Sequence, residues 1–205
     1  MADRPSAQAR PPQHTIVVVS GLPRSGTSML MGVLSAGGLE GLTDHIRTAD
    51  LDNPNGYYEL ERVKRLPEGD QGWLAEAEGK CVKVIAALLP FLPPSYSYRV
   101  IFMHRRLSEV MASQRKMLQH RRQPTAAPAS DEAQMAQLLQ THADDMRRWL
   151  QAQPNVALFD CDYNAMLAEP ALWVRRINEF LGGHLDVVAM QAAVDATLYR
   201  NRTDR

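Results

Sequence analysis

The segment from Thr15 to Ser28, TIVVVSGLPRSGTS, constrains the fold of this chain more than any other. Residues 16–19 form an unbroken run of β-branched apolar side chains, which is typical of a strand buried on both faces. A turn with Gly21 and Gly26 follows, and a helical pattern begins directly after it. The start of such a helix presents unpaired N–H groups and the positive end of the helix dipole. The segment therefore predicts an anion site, where the two glycines let the backbone approach a phosphate closely.

The turn departs at one position from the nucleotide-binding loop G-x4-G-K-[ST]. Gly21, Gly26 and Ser28 stand at the expected places, but Thr27 replaces the lysine that normally reaches the β- and γ-phosphates. The cation of this loop is instead Arg24, whose planar guanidinium suits a terminal anionic group. The loop thus keeps the anion-binding pattern and lacks the usual lysine for a triphosphate.

GLPRSGTS after an apolar strand resembles the 5′-phosphosulfate-binding loop of sulfotransferases that use 3′-phosphoadenosine-5′-phosphosulfate (PAPS), in the arginine-bearing form of bacterial and Golgi-type members. The resemblance implies PAPS as co-substrate, PAP as product and no metal ion. It also implies a phosphosulfate-binding set made of Pro23, Arg24, Ser25, Gly26, Thr27 and Ser28.

A second segment supports the same interpretation. Residues 99–103 predict a buried strand, and a helical pattern follows that contains Arg105 and Ser113 in the spacing Arg-x7-Ser. Sulfotransferases have such a pair in this setting, where it binds the 3′-phosphate of the nucleotide. Because open α/β sheets bind ligands at the carboxyl ends of their strands, we expect this pair to lie near the glycine-bearing loop.

Two further runs, at 81–85 and 156–159, predict strands, and helical patterns separate the runs. We therefore expect a single α/β domain over residues 15–205, with a largely parallel sheet flanked by helices, after a flexible tail at 1–14. Within it, residues 58, 60, 63 and 66 are expected to form the inward stripe of one helix. A second, amphipathic helix is expected from Asp131 to about Leu150, with Met135 and Leu138 on its inward face.

Composition limits the partners. The chain has 23 basic and 23 acidic residues, so its formal net charge of zero argues against broad binding to nucleic acid or membrane surfaces. Neither a membrane span nor a signal peptide is evident, which predicts a cytoplasmic protein. The resemblance implies a small-molecule or carbohydrate acceptor and leaves the oligomeric state open.

Other candidate residues follow from single positions. Lys83 lies inside a predicted buried strand, where an ammonium group is costly unless it meets an anion, and it resembles a lysine that lines the site in this family. The alternative is a lysine that extends its ammonium to solvent. Arg200 and Arg202 either close over the 3′-phosphate, as the resemblance implies, or are solvated at the end of the chain.

The general base stays open among three residues. The resemblance places it in the segment after the first helix, which holds Asp44 and His45. Glu59, in the GYYE stretch that resembles an acceptor-side motif of bacterial members, ranks slightly ahead of them because its aromatic neighbours favour partial desolvation.

The resemblance implies sulfuryl transfer from PAPS to a hydroxyl or amine acceptor. Two alternatives remain: a phosphotransferase of the P-loop kinase type, and a non-catalytic nucleotide-binding protein of the same fold.

Overall fold

Four parallel strands form the sheet of the described part of the chain, in the spatial order β2-β1-β3-β4. The structure is a computed structural model and describes residues 15–44, 46, 56–120 and 129–194. The strands are β1 (Thr15–Gly21), β2 (Cys81–Lys83), β3 (Ser97–His104) and β4 (Val156–Asp162). The α-helices are α1 (Thr27–Ala36), α2 (Leu107–His120), α3 (Ala129–Gln151), α4 (Tyr163–Ala168), α5 (Pro170–Leu181) and α6 (Val187–Ala192). Short 3-10 helices span Glu61–Glu68, Ala75–Ala77 and Ala86–Phe91.

Strand β1 organises the sheet, since it pairs in parallel with β2 on one side and β3 on the other. Its register with β3 runs from Thr15 opposite Ser97 to Gly21 opposite Met103, so the two strands end at the same edge. Helices α1 and α5 pack on one face and α3 on the other. The prediction of an α/β domain with a largely parallel sheet flanked by helices is confirmed.

The core has two layers because successive side chains of a strand point to opposite faces. Ile16 and Val18 of β1 face one layer, and Val17 and Val19 face the other. All seven residues of β1 are buried, as expected for the central run of apolar, β-branched residues. Each fully buried side chain of this kind contributes about 1.5–3 kcal/mol relative to an exposed one.

The predicted helix over residues 58–66 is wrong in its type and start. Tyr58 has a positive φ of 51°, and a 3-10 helix begins only at Glu61. The Oδ2 of Asp44 accepts a hydrogen bond from the Glu61 backbone N–H at 2.6 Å, which fixes the helix start there. Leu60, Val63 and Leu66 are buried as predicted.

Helix α3 is inward-facing only in its second half. Ala143 and Leu150 are buried, whereas Met135 and Leu138, which were expected inward, are 49% and 58% exposed. The reason is length: at ~1.5 Å per residue a helix of 23 residues is longer than a strand of 7 residues at ~3.3 Å per residue. Strand β4 therefore covers only part of α3.

An ion cluster fastens α3 to the sheet. Arg147 donates to both carboxylate oxygens of Asp160 on β4, at 2.8 and 2.7 Å, and His104 Nε2 on β3 lies 2.6 Å from Asp160 Oδ1. Burial opposes the ionised form of Asp160, but the hydrogen bonds from Arg147 and His104 outweigh it. They hold the pKa of that carboxyl below its ordinary value.

We predict that Asp160→Asn lowers the free energy of unfolding by about 1 kcal/mol at pH 7, a modest figure because the group is partly exposed. A carboxyl group with a lowered folded-state pKa stabilises the fold at pH values above its unfolded-state pKa, and this contribution is lost as the pH falls through the folded-state pKa. The difference between the variant and the wild type should therefore shrink below about pH 4. Urea denaturation between pH 2.5 and 7 measures it.

The matched control for this prediction is Asp145→Asn, which removes the ion pair of Asp145 with Arg148 on the outer face of α3. This exposed pair should change the free energy of unfolding little. If Asp160→Asn lowered the free energy of unfolding by the same amount at pH 2.5 and pH 7, the prediction would be contradicted.

Candidate functional site at the carboxyl edge of the sheet

The loop between β1 and α1 has a backbone that requires glycine at its end. Gly26 precedes α1 with a left-handed φ of 98°. A Cβ at this position would lie 2.3 Å from Cδ2 of Tyr163, the first residue of α4. Gly26 is thus needed both for its backbone conformation and for the close packing of the Tyr163 ring.

Ser25 supplies a buried hydroxyl group within this loop. Its side chain is buried, and its Oγ has no hydrogen-bond partner among the described residues. A buried hydroxyl without a partner costs about 1–3 kcal/mol, so a ligand that accepts its hydrogen bond would recover that cost. A phosphate or sulfate oxygen fits this requirement, which makes the loop compatible with a phosphosulfate group.

The three predicted phosphate-binding residues Arg24, Arg105 and Ser113 lie together. Arg24 Nε donates to Ser113 Oγ at 2.8 Å, across 89 positions of sequence. Arg105 Nη1 donates to the carbonyl oxygen of Arg24 at 3.2 Å. Arg24 itself has a positive φ of 71°, a conformation that costs a residue with a side chain about 1–2 kcal/mol. Arg24 of the loop and the Arg-x7-Ser pair therefore form one cluster.

Arg105 is held by several neighbours, and sequence analysis singled out neither Glu109 nor Asn164 among them. Its Nε donates at 3.0 Å to Oε2 of Glu109, whose side chain is fully buried. The guanidinium carbon lies 4.5 Å from the centre of the Tyr163 ring. The amide of Asn164 donates to both carboxylate oxygens of Glu109 at 3.1 Å. The spacing of Arg105 and Glu109 by one helical turn was the available signal for this pair.

Lys83 organises a second group at the same edge. Its Nζ lies 3.2 Å from Ser28 Oγ, 2.9 Å from the Tyr57 carbonyl oxygen and 3.5 Å from Glu59 Oε1. The Lys83 side chain is only 10% exposed, so it is not the solvent-directed lysine of the alternative interpretation. Lys83, Ser28 and Glu59 therefore lie together at the start of α1.

Asp44 and Glu59 lie on neighbouring segments, but their carboxylates differ in their surroundings. Asp44 accepts hydrogen bonds from the backbone N–H groups of Ile46 at 3.0 Å and of Glu61 at 2.6 Å, one to each oxygen. Glu59 instead has its carboxylate beside the Lys83 ammonium and 20% exposed. Asp44 thus shapes the loop, whereas Glu59 presents its carboxylate at the group around Lys83.

The remaining predicted site residues are placed as follows. Pro23 is exposed on the loop, and Thr27 is buried as the first residue of α1. His45, Arg200 and Arg202 lie outside the described residues. In the described ranges, no group of three or more His, Cys, Asp or Glu side chains is arranged to hold a metal ion. None of the helices described here is long and apolar enough to cross a bilayer.

Comparison with solved structures shows several sulfotransferases of similar fold. Sulfotransferase STF1 from Mycobacterium tuberculosis has 17% identity and a TM-score of 0.57, over 93% of this chain and 72% of that one. The sulfotransferase domain of the Synechococcus PCC 7002 olefin synthase has 16% identity and a TM-score of 0.52, over 100% and 84%. Mouse sulfotransferase SULT7A1, solved in complex with PAP, has 13% identity and a TM-score of 0.53, over 95% and 69%. Comparison with curated proteins gives no match.

These identities are low, so the solved structures establish the shared fold. The profile of the sulfotransferase family matches residues 58–186, which is more than half of the 205 residues. The matched stretch contains Lys83, Arg105 and Ser113 and begins after the glycine-bearing loop. Fold and family profile agree, and the chain belongs to the sulfotransferase family.

Proposed function

We propose that this protein transfers a sulfuryl group from PAPS to a hydroxyl or amine acceptor. The observation that carries the proposal is the 2.8 Å contact between Arg24 Nε and Ser113 Oγ, which joins the anion-binding loop to the Arg-x7-Ser pair. PAPS has anionic groups on both its 5′ and 3′ sides, and a cluster with residues from both segments suits such a ligand. Membership of the sulfotransferase family supports the same assignment.

In this proposal the two ends of the nucleotide have separate binding residues. Arg24, the buried Ser25 hydroxyl and the backbone N–H groups of the loop bind the 5′-phosphosulfate, as expected at the start of a helix. Arg105 and Ser113 bind the 3′-phosphate. Arg105 Nη1 donates to the Arg24 carbonyl oxygen, so the two binding segments lie side by side.

PAPS supplies the sulfuryl group when bound, and PAP leaves after transfer. An acceptor oxygen or nitrogen forms the new bond to sulfur while the bond from sulfur to the bridging phosphate oxygen breaks. Arg24 and Lys83 stabilise the negative charge that develops on that bridging oxygen, since preorganised cations in a partly desolvated site are effective there. Most of the catalysis is therefore positioning and charge stabilisation.

The acceptor must lose one proton during transfer, and we assign its removal to Glu59. Its carboxylate lies 3.5 Å from Lys83 Nζ and so at the same part of the edge as the proposed leaving group. Asp44 is the weaker candidate, because two backbone N–H groups donate to its oxygens at 3.0 and 2.6 Å, whereas the Lys83 and Lys64 ammonium groups lie 3.5 and 3.9 Å from the Glu59 oxygens. Positioned carboxylates of this kind contribute about 10²–10⁴ in rate.

The first test of the proposal is nucleotide selectivity. PAP should bind without magnesium, and ATP with magnesium should bind at least about tenfold more weakly, because the loop has Thr27 where a triphosphate site has lysine. Isothermal titration calorimetry with each ligand measures this. Tighter binding of magnesium-ATP than of PAP would favour the kinase-type phosphotransferase. PAP binding without sulfuryl transfer to any of a panel of phenols and amines would favour the non-catalytic alternative.

The role of Arg105 predicts a loss that depends on the 3′-phosphate. Arg105→Ala should weaken PAP binding by about 1.5–3 kcal/mol, the range for a hydrogen bond to a charged group. It should barely affect adenosine 5′-phosphosulfate, which lacks the 3′-phosphate. Arg175→Ala, at an exposed position of α5, is the control for loss of one positive charge. Equal losses for both ligands would mean that Arg105 is only structural.

The role of Glu59 predicts a loss of turnover with little loss of nucleotide affinity. Glu59→Gln should lower kcat about a hundredfold to ten-thousandfold with an acceptor from the phenol and amine panel, and should change PAP affinity less than about twofold. Glu68→Gln is the matched control, since Glu68 is an exposed carboxylate at the end of the 3-10 helix that follows Glu59. Near-normal turnover in Glu59→Gln would show that another residue is the general base. Asp44→Asn and His45→Ala would then be measured in the same way.

A further inference from the structure

We propose that Glu109 and Asn164 are positioning residues that fix the Arg105 guanidinium for the 3′-phosphate. Neither residue reaches the ligand in this proposal; both act through Arg105. The inference rests on the proposed function, because it assumes that Arg105 meets a 3′-phosphate. It adds buried residues that determine selectivity for the 3′-phosphate without contacting the nucleotide themselves.

The burial of Glu109 is the first argument. Its side chain is 0% exposed, although a buried carboxylate is costly unless it is paired and hydrogen-bonded. The pairing is extensive: Arg105 Nε donates at 3.0 Å, Asn164 Nδ2 donates to both oxygens at 3.1 Å, and Arg106 Nη1 lies at 3.8 Å. A carboxylate with this many partners holds those partners in defined places.

The second argument is what these contacts do to Arg105. Glu109 holds its Nε, the Arg24 carbonyl oxygen holds its Nη1, and the Tyr163 ring lies against its face. An unrestrained arginine side chain has many rotamers, and a ligand would otherwise have to overcome the entropy lost when one of them is fixed. Here the guanidinium is ordered by the protein itself, so a phosphate meets a preorganised group.

Asn164 connects this arrangement to another part of the sheet edge. It lies on α4, directly after Tyr163, while Glu109 lies on α2. Its Oδ1 accepts a hydrogen bond from the backbone N–H of Arg106 at 3.2 Å, and its Nδ2 donates to Glu109. Asn164 thereby fixes the start of α2 and the Glu109 carboxylate at once.

The negative charge of Glu109 and its positioning contacts have opposite expected effects on phosphate affinity. A negative charge beside a phosphate site repels the ligand, so loss of that charge alone should tighten phosphate binding. Loss of the positioning contacts should weaken it. Glu109→Gln keeps the side-chain shape but replaces one acceptor oxygen with an N–H₂ group, which cannot accept from Asn164. The sign of the change therefore separates the two effects.

The experiment is calorimetric titration of the wild type, Glu109→Gln and Asn164→Ala with PAP and with adenosine 5′-monophosphate (AMP), which differ by the 3′-phosphate. We expect Glu109→Gln to weaken PAP binding about tenfold and Asn164→Ala about threefold, while AMP binding changes less than about twofold. Glu179→Gln, which removes one negative charge from an exposed position of α5, should leave both affinities unchanged. Thermal unfolding of each variant accompanies the titrations.

The outcomes separate the inference from the function on which it rests. A wild type that binds PAP no better than AMP overturns the proposed function and the inference together. A wild type that prefers PAP, with a preference unchanged or increased in Glu109→Gln, overturns the inference alone. Equal weakening of PAP and AMP shows a merely structural role and also overturns it. If Glu109→Gln does not fold, Asn164→Ala decides by the same criterion.

Discussion

The parallel pairing of β1 with β3 is the constraint on which the site depends. The two strands remain in register from Thr15 and Ser97 to Gly21 and Met103, so the segments that follow them begin at the same edge of the sheet. The loop that follows β1 and the turn that follows β3 are then neighbours, and Arg24 meets both Arg105 and Ser113. A shift of register by one residue would separate these groups and also reverse the faces of every apolar side chain in β1.

Two cations of the site have carboxylate partners beside them. Arg105 is paired with Glu109, and Lys83 lies beside Glu59. The formal net charge of the chain is zero, so long-range attraction of an anionic ligand is weak. Selectivity for an anion therefore depends on how the buried groups of the site are oriented. Salt screens the interactions of buried charges much less than those of exposed charges.

Sequence analysis predicted what depends on local pattern. The buried run of β1, the glycine-bearing loop and the placement of Arg105 and Ser113 near it follow from side-chain type, spacing and the rule for parallel sheets. The site roles of Arg24, Arg105 and Ser113 stay predictions. Sequence analysis did not find the partnership of Glu109 with Asn164, because 55 positions separate the two residues and no pattern connects them.

Two errors have definite physical causes. Tyr58 was expected on the inward face of a helix, but its positive φ and the extended conformation of Leu60 leave it outside the 3-10 helix, whose first N–H group donates to the Asp44 carboxylate. Met135 and Leu138 were expected inward because they continue the apolar face of α3, yet β4 is too short to cover them. Periodicity shows which face of a helix is apolar, but it does not show how far the neighbouring sheet extends.

The contact between Gly26 and Tyr163 has a consequence for the order of folding. The loop belongs to the first strand–helix unit of the chain, whereas the ring that packs against its last glycine belongs to α4, after the last strand. A chain under synthesis contains the loop sequence early, but the loop lacks this packing surface until β4 and α4 have been made and have docked. The loop therefore reaches its native conformation only when the sheet is complete, and a partly synthesised chain contains the loop sequence without that conformation.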